Sequence, residues 1–209
     1  MPLGKFIVFE GLDGSGTSTQ ILMVRDRLRE CGIKVETTAE PTKGPLGSVI
    51  RLALEKRISL DAEAFALAFA ADRADHLHNP VNGMIKTLEM GRWVLCDRYA
   101  LSSLAYQSMQ GLPMARIAEL NKFATDSDLT LFIDVDPATA ARRVRLRSSH
   151  RDLFEDRKKL EKVRENYRRA IKLRPFAKKI EWIQSAGSPD EVFALVWRAL
   201  AKHFSSLRD

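Results

Sequence analysis

The eight residues Gly11-Leu12-Asp13-Gly14-Ser15-Gly16-Thr17-Ser18 match three of the four fixed positions of the phosphate-cradling pattern G-x-x-x-x-G-K-[ST]. Glycines let the backbone turn tightly and aim several N–H groups at phosphate oxygens. The N-terminus of a following helix adds its partial positive charge. Ser18 is placed to offer a hydroxyl to Mg²⁺. Thr17 stands where the pattern carries its phosphate-binding lysine. As a dinucleotide fingerprint, G-x-G-x-x-G, the loop fails, because position 19 is Thr. Lys5 cannot replace the missing cation. It lies at the far end of the preceding strand, roughly 13 Å away at about 3.3 Å per residue. Arg142, Arg143, Arg145, Arg147 and Arg151 are better placed: five arginines in ten residues with no acid among them. Crowded like charges destabilise a helix, and an anion relieves them. Arginine also grips phosphate in a bidentate fork.

Three further constellations carry chemistry. Asp97-Arg98-Tyr99 follows the apolar run Trp93–Cys96, at the strand end where α/β ligand sites sit. There an aspartate can hold Mg²⁺ and an arginine can clamp a phosphoryl group. Phe65, Phe69 and Arg73 fall four residues apart, on one face of a helix. A buried arginine needs a partner: either Arg73 pairs with Asp72 or Asp97, or it binds a ligand that Phe69 stacks on. The loop Glu40-Pro41-Thr42-Lys43-Gly44-Pro45 places Lys43 within reach of a second phosphate.

These residues need elements to position them. Phe6–Phe9 is a continuous apolar run between Gly4 and Gly11, the pattern of a strand buried on both faces. Ile21, Val24, Leu28 and Cys31 keep helical spacing up to Gly32. Further strands are expected at Lys34–Thr38, Arg92–Cys96, Leu129–Val135 and Ile180–Gln184. Helices are expected at Leu46–Lys56, Asp61–Leu77, Val81–Met90, Leu101–Met109, Ala115–Thr125, Pro137–Arg147, Asp156–Leu173 and Pro189–Phe204. Strands alternating with helices predict an α/β fold: a five-stranded parallel sheet with helices on both faces. The 209 residues suit one domain with a full core.

Composition removes several classes. The longest apolar run is Ala64–Ala71, far below the ~20 residues of a membrane helix. Charges arrive early, at Lys5, Glu10 and Asp13, which argues against a signal peptide. Two cysteines, Cys31 and Cys96, fit a reduced, cytoplasmic setting. His76, His78, His150 and His203 show no metal-ligand spacing. The net charge of +7 is unevenly spread: residues 1–141 hold 15 Lys and Arg against 18 Asp and Glu, and residues 142–209 hold 19 against 9. That asymmetry points to one zone for an anionic ligand. Residues 157–179 carry 11 bases against 2 acids. Leu160, Val163, Tyr167 and Ile171 give the same stretch a core-facing stripe, so the bases read as a solvated face rather than a nucleic-acid site.

Taken together, Phe-Glu-Gly-Leu-Asp-Gly-Ser-Gly at 9–16, Glu40-Pro41, Phe69-Ala-Ala-Asp-Arg73, Asp97-Arg98-Tyr99-Ala-Leu-Ser102-Ser103-Leu-Ala-Tyr106-Gln107 and Leu129-Thr-Leu-Phe-Ile-Asp134-Val resemble the thymidylate kinase family. These are P-loop nucleoside monophosphate kinases that phosphorylate dTMP with Mg·ATP for dTTP synthesis. The resemblance spans nearly the whole chain. It implies that Gly11 through Thr19, Arg143 and the loop Ser185-Ala186-Gly187 bind ATP, with Arg143 stacked on adenine. It implies that Asp13 contacts the dTMP 3′-hydroxyl, that Phe69 stacks on thymine and Arg73 bonds its O4, and that Ser102 and Ser103 contact the base. By the same resemblance Arg98 would hold the dTMP phosphate, Tyr106 would crowd the 2′ position, and Pro41, Lys43 and Gln107 would complete the dTMP site. Ser18 and Asp97 are the implied Mg²⁺ residues. Arg145, Arg147 and Arg151 belong to a lid at about 142–156. Gly14 fills the position that carries arginine in members with a loop arginine, so this chain resembles the type whose catalytic arginine comes from the lid. A homodimer is implied as well.

Two positions depart from the family pattern. Thr17 replaces the loop lysine, and Lys43 with its neighbours replaces the bacterial Gly-Gly-Thr after Glu-Pro. Three other readings therefore remain at this level: a catalytically silent nucleotide-binding protein, a kinase for another nucleoside monophosphate, and a nucleic-acid-binding module. Turnover, a substrate panel and salt-dependent binding separate them.

Overall fold

The computed structural model describes residues 3–146, 153–173 and 176–207. Its centre is a five-stranded parallel sheet in the order β2-β3-β1-β4-β5. The strands are β1 (Phe6–Gly11), β2 (Val35–Ala39), β3 (Trp93–Asp97), β4 (Leu129–Asp134) and β5 (Ile180–Gln184). Every residue of β1 and β4 is buried. Both strands are therefore predominantly apolar, the signature of a sheet covered on two sides, with Glu10, Thr130 and Asp134 the polar exceptions.

Alternation sorts those side chains. Ile7, Phe9, Leu95, Leu131 and Ile133 point to one face. There they meet Ile21, Val24 and Leu28 of α1 (Thr17–Glu30) and Val192, Val196 and Leu200 of α9 (Pro189–His203). Phe6, Val8, Val94 and Cys96 point to the other face. They pack with Leu77 of α3 (Ala62–His78), Met84 of α4 (Met84–Glu89) and Tyr99. Farther along that face, Phe132 packs with Leu104 of α5 (Ala100–Gln107) and with Leu160, Val163 and Tyr167 of α8 (Leu153–Leu173). The expected stripe on α8 is present. Three further helices, α2 (Pro45–Leu54), α6 (Met114–Leu120) and α7 (Pro137–Arg145), complete the order. Among the described residues no helix is long and apolar enough to cross a membrane.

Several boundaries differ from the sequence expectation, each for a local reason. α1 stops at Glu30. Gly32 takes φ +75°, and the N–H groups of Gly32 and Ile33 bond back to the carbonyls of Arg29 and Leu28, both at 2.9 Å. This is a Schellman ending, and it leaves Cys31 exposed rather than on the buried stripe. α4 begins at Met84, not Val81, because Asn79 Oδ1 accepts from the N–H of Val81 at 2.9 Å and of Asn82. α6 ends at Leu120, not Thr125. Asn121 turns its amide back to the Ile117 carbonyl at 2.7 Å and offers its Oδ1 to Arg73. α8 starts at Leu153, before the expected Asp156. α9 opens on a capping box between Ser188 and Glu191.

Leu28 is fully buried on α1, far from the glycine loop, whereas Leu22 on the same helix is 47% exposed. Leu28→Ala is expected to lower unfolding free energy by about 2–5 kcal/mol, and Leu22→Ala to stay within about 0.5 kcal/mol. Urea denaturation of the two variants checks the assignment of the buried face.

Candidate active site

β1 delivers the glycine loop to the C-terminal edge of the sheet. Gly14 takes φ +83°, and a Cβ there would lie 2.6 Å from the Ala140 carbonyl oxygen, so only glycine fits. Gly16 takes φ +96° as the N-cap of α1, and no side chain caps the helix. The first-turn N–H groups are thus left for a ligand, the arrangement that binds anions at helix N-termini. The Ser15 hydroxyl is buried and unpaired.

The neighbouring strand supplies the charged partners. β1 and β3 pair in register up to Phe9 and Asp97. Asp97 therefore ends beside the loop and accepts from Ser18 Oγ at 2.6 Å through Oδ2. Its Oδ1 is buried with no partner. A serine hydroxyl beside an orphaned carboxylate oxygen fits a hard divalent cation that takes its other ligands from phosphate and water. Among the described residues no cluster of three or more His, Cys, Asp or Glu could hold a metal by itself, so such a cation needs the phosphates.

Arg98 follows, with its backbone at φ +70°, a conformation that costs a non-glycine residue free energy and concentrates at functional sites. Its Nη1 donates to the Gly11 carbonyl at 3.1 Å, and its Nη2 donates to Asp13 Oδ1 at 2.7 Å. The guanidinium lies 4.9 Å over the Tyr106 ring, whose hydroxyl accepts from the Asp13 N–H at 3.1 Å. Asp13, Gly14, Thr17, Ser18, Asp97 and Arg98 line one cavity of about 360 Å³. Arg98 is the one cation among the described residues lining it. Thr17 is buried at its rim and brings no charge.

A second cavity, of about 390 Å³, opens on the other side of the loop, where Gly14, Gly16, Thr19, Arg143, Ser185 and Gly187 meet. Arg143 reaches it from α7 and donates to the Gly14 carbonyl at 3.3 Å. Ala186 is exposed at its edge.

On the opposite side of Arg98, Arg73 is 1% exposed. Its partner is Glu40, at 2.6 Å, and not Asp72 or Asp97. Asp72 is occupied elsewhere: it accepts from the Thr42 N–H at 2.8 Å and from the Thr42 hydroxyl at 2.6 Å, which pins the loop after β2. Arg73 also bonds Asn121 and Ser103 and lies 5.0 Å over the Tyr99 ring. Phe69, one turn earlier, is half-buried and meets Phe65 edge-on at 5.1 Å. Gln107 is 2% exposed, and both its amide oxygen and nitrogen lack partners. Pro41, after a cis peptide bond, and the exposed Lys43 lie on the loop between β2 and α2.

A family model described as Thymidylate kinase matches residues 9–195. The chain is 36% identical over 205 residues to a "Probable thymidylate kinase" of Pyrococcus abyssi, covering 96% of this chain and 97% of that one. It is 38% identical over 181 residues to a "Probable thymidylate kinase" of Methanococcus aeolicus, covering 87% and 86%. It is 39% identical over 161 residues to a "Thymidylate kinase" of Desulfotalea psychrophila, covering 77% and 78%.

The chain belongs to the thymidylate kinase family.

Within this thymidylate kinase fold, sequence reasoning missed the polar floor beneath Arg98. Glu10 is fully buried at the end of β1. It accepts from the N–H groups of Tyr99 at 2.9 Å and Ser102 at 3.2 Å, from the Ser102 hydroxyl, and from Tyr167 Oη at 2.9 Å. The available signal was a carboxylate closing an otherwise apolar buried run. The Ser102 hydroxyl is held between Glu10 and Tyr167. Tyr167 was read as core stripe alone. Arg145 is exposed at the end of α7. Arg147 and Arg151 lie outside the described residues.

Burial pushes the Glu10 carboxyl from 4.5 up to about 7, against the pull of the Ser102 and Tyr167 hydrogen bonds and the Arg98 charge. A carboxyl whose pKa rises on folding stabilises the fold while protonated, and that contribution is lost as pH rises through the folded value. The melting temperature of the native chain relative to Glu10→Gln is therefore expected to decline between about pH 5 and about pH 8. A pH-independent difference would show that Glu10 keeps an ordinary carboxylate pKa.

Proposed function

We propose that this chain transfers the γ-phosphoryl group of ATP to the 5′-phosphate of dTMP, giving dTDP and ADP. The observation that carries this reading is that the glycine loop and Arg98 share one cavity, so a donor cradle and an acceptor clamp face the same space. The acceptor oxygen is already an anionic nucleophile, so no general base is required. The residues position two anions and neutralise their charge.

The donor phosphates lie on the first-turn N–H groups of α1, and adenine lies against Arg143, Ala186 and Gly187. Ser18 and Asp97 hold Mg²⁺, which supplies charge neutralisation along the donor phosphates when bound. Arg98 holds the dTMP phosphate and Asp13 its 3′-hydroxyl, while Tyr106 crowds the 2′ position. The thymine imide needs a donor and an acceptor side by side, which the unpaired amide of Gln107 supplies. Arg73 and Ser103 flank it, Phe69 stacks on it, and Pro41 and Lys43 close the loop above.

Arg145, Arg147 and Arg151 belong in this reading to a lid at about 142–156 that shields the phosphates from water, within a single domain of residues 1–209. With Thr17 uncharged, these arginines supply the positive charge that the lysine of the loop pattern would supply. Losing one such contact costs about 3–4 kcal/mol, or 10²–10³ in rate, where nothing compensates. The exposed apolar residues Leu46, Val49 and Leu54 of α2 and Leu67 of α3 support a homodimer. We place the enzyme in the cytoplasm.

Steady-state kinetics with Mg·ATP and dTMP, dUMP, dCMP and dGMP test the reading. The expected result is dTDP formation with the highest kcat/KM for dTMP, a loss of about 10²–10³ in Arg98→Ala and a comparable loss in Arg147→Ala. Thr17→Lys is expected to raise kcat less than tenfold. If the native chain makes dTDP no faster than Arg98→Ala, the kinase reading falls. If Arg147→Ala changes nothing while Thr17→Lys raises kcat a hundredfold, the lid does not compensate.

A further inference from the structure

Beneath Arg98 three elements meet at one polar point: Glu10 from β1, Ser102 from α5 and Tyr167 from α8. Glu10 has no exposed surface, and Tyr167 is fully buried. Tyr167 Oη lies 2.9 Å from Glu10, 2.7 Å from Ser102 Oγ and 3.4 Å from Arg98 Nη1. Ser102 Oγ lies 3.3 Å from the same Nη1. Glu10 also accepts from the N–H of Tyr99, the residue immediately after the strained Arg98 backbone.

We propose that Glu10 and Tyr167 are positioning residues for the acceptor arginine. Glu10 holds the chain just after the left-handed turn at Arg98, and Tyr167 fixes the inner edge of the guanidinium fork so that its outer edge meets a phosphate. A core tyrosine needs one hydrogen-bond partner for its hydroxyl. This one faces three, one of them an arginine already occupied by Gly11 and Asp13. A buried carboxylate without donors is costly, and here every donor belongs to the segment carrying Arg98 or to Tyr167. The network also ties Arg98 to α8.

The proposal rests on the reading of Arg98 as the arginine that holds the dTMP phosphate, and the test separates the two. Equilibrium binding of dTMP, thymidine and ATP is measured for native chain, Tyr167→Phe, Arg98→Ala and the double variant, with melting temperatures beside them. Tyr167→Phe is expected to weaken dTMP binding about tenfold and to leave thymidine and ATP binding within twofold. In the Arg98→Ala background the same substitution is expected to add nothing, because the group it positions is gone. Glu10→Ala, which removes the acceptor for the Tyr99 and Ser102 N–H groups, is expected to weaken dTMP binding about tenfold with thymidine binding within about twofold. Glu10→Gln, which restores an acceptor, is expected to recover dTMP affinity to within about threefold. Equal weakening of thymidine and dTMP by Glu10→Ala would overturn the role of Glu10. Equal weakening of thymidine and dTMP by Tyr167→Phe would make its role mere packing and overturn the proposal. So would full additivity with Arg98→Ala. If Arg98→Ala leaves the ratio of dTMP to thymidine affinity unchanged, the reading of Arg98 itself fails, whatever Tyr167 does.

Discussion

The register between two adjacent strands sets the position of everything else in the site. β1 and β3 run parallel with Phe9 opposite Asp97, so both strands end at the same edge of the sheet, β1 two residues farther along at Gly11. One exit is the glycine loop, the other is Asp97-Arg98-Tyr99. A shift by one residue would turn Asp97 to the opposite face of the sheet and break its 2.6 Å contact with Ser18. Apolar side chains on both faces enforce the pairing: Ile7 and Leu95 on one side, Val8 and Cys96 on the other. Burial of these groups stabilises the fold and, through register, aligns the charged residues at the strand ends.

The same edge is where the protein keeps buried charge. Arg73 with Glu40, and Glu10 with its four donors, lie in positions where apolar packing would be simpler. Buried ion pairs are weak contributors to stability, because desolvation offsets their attraction. Their value here is geometric. Glu40 and Asn121 grip Arg73 from two sides, and Glu10 fastens the turn that aims Arg98. Each arginine is thus held in one orientation by the protein itself, and preorganisation of that kind lowers the ordering cost of binding.

Thr17 changes how charge is distributed in the site. In the loop cavity Arg98 is the one cation among the described lining residues, and Arg143 belongs to the cavity on the other side of the loop. The basic excess of the chain lies after residue 141, on the segments that run from α7 through α8. Positive charge placed there comes from elements other than the first turn of α1.

From the sequence alone one could read the parallel α/β sheet, the loop between β1 and α1, and the identity of most charged groups. Unbroken apolar runs and glycines are local consequences of burial on both faces and of tight turning. The motifs from Phe9 to Val135 also carried the family resemblance, which the comparisons bear out. Partnerships were not legible. Arg73 reaches Glu40 across 33 positions, Ser102 meets Glu10 across 92, and Tyr167 meets Glu10 across 157. Spacing within a helix cannot announce a partner on another element, so Asp72 beside Arg73 looked eligible and Tyr167 looked like plain core. Only the packing of α5 and α8 over β1 decided which polar groups face one another, because a buried donor bonds whatever acceptor the tertiary fold brings within reach.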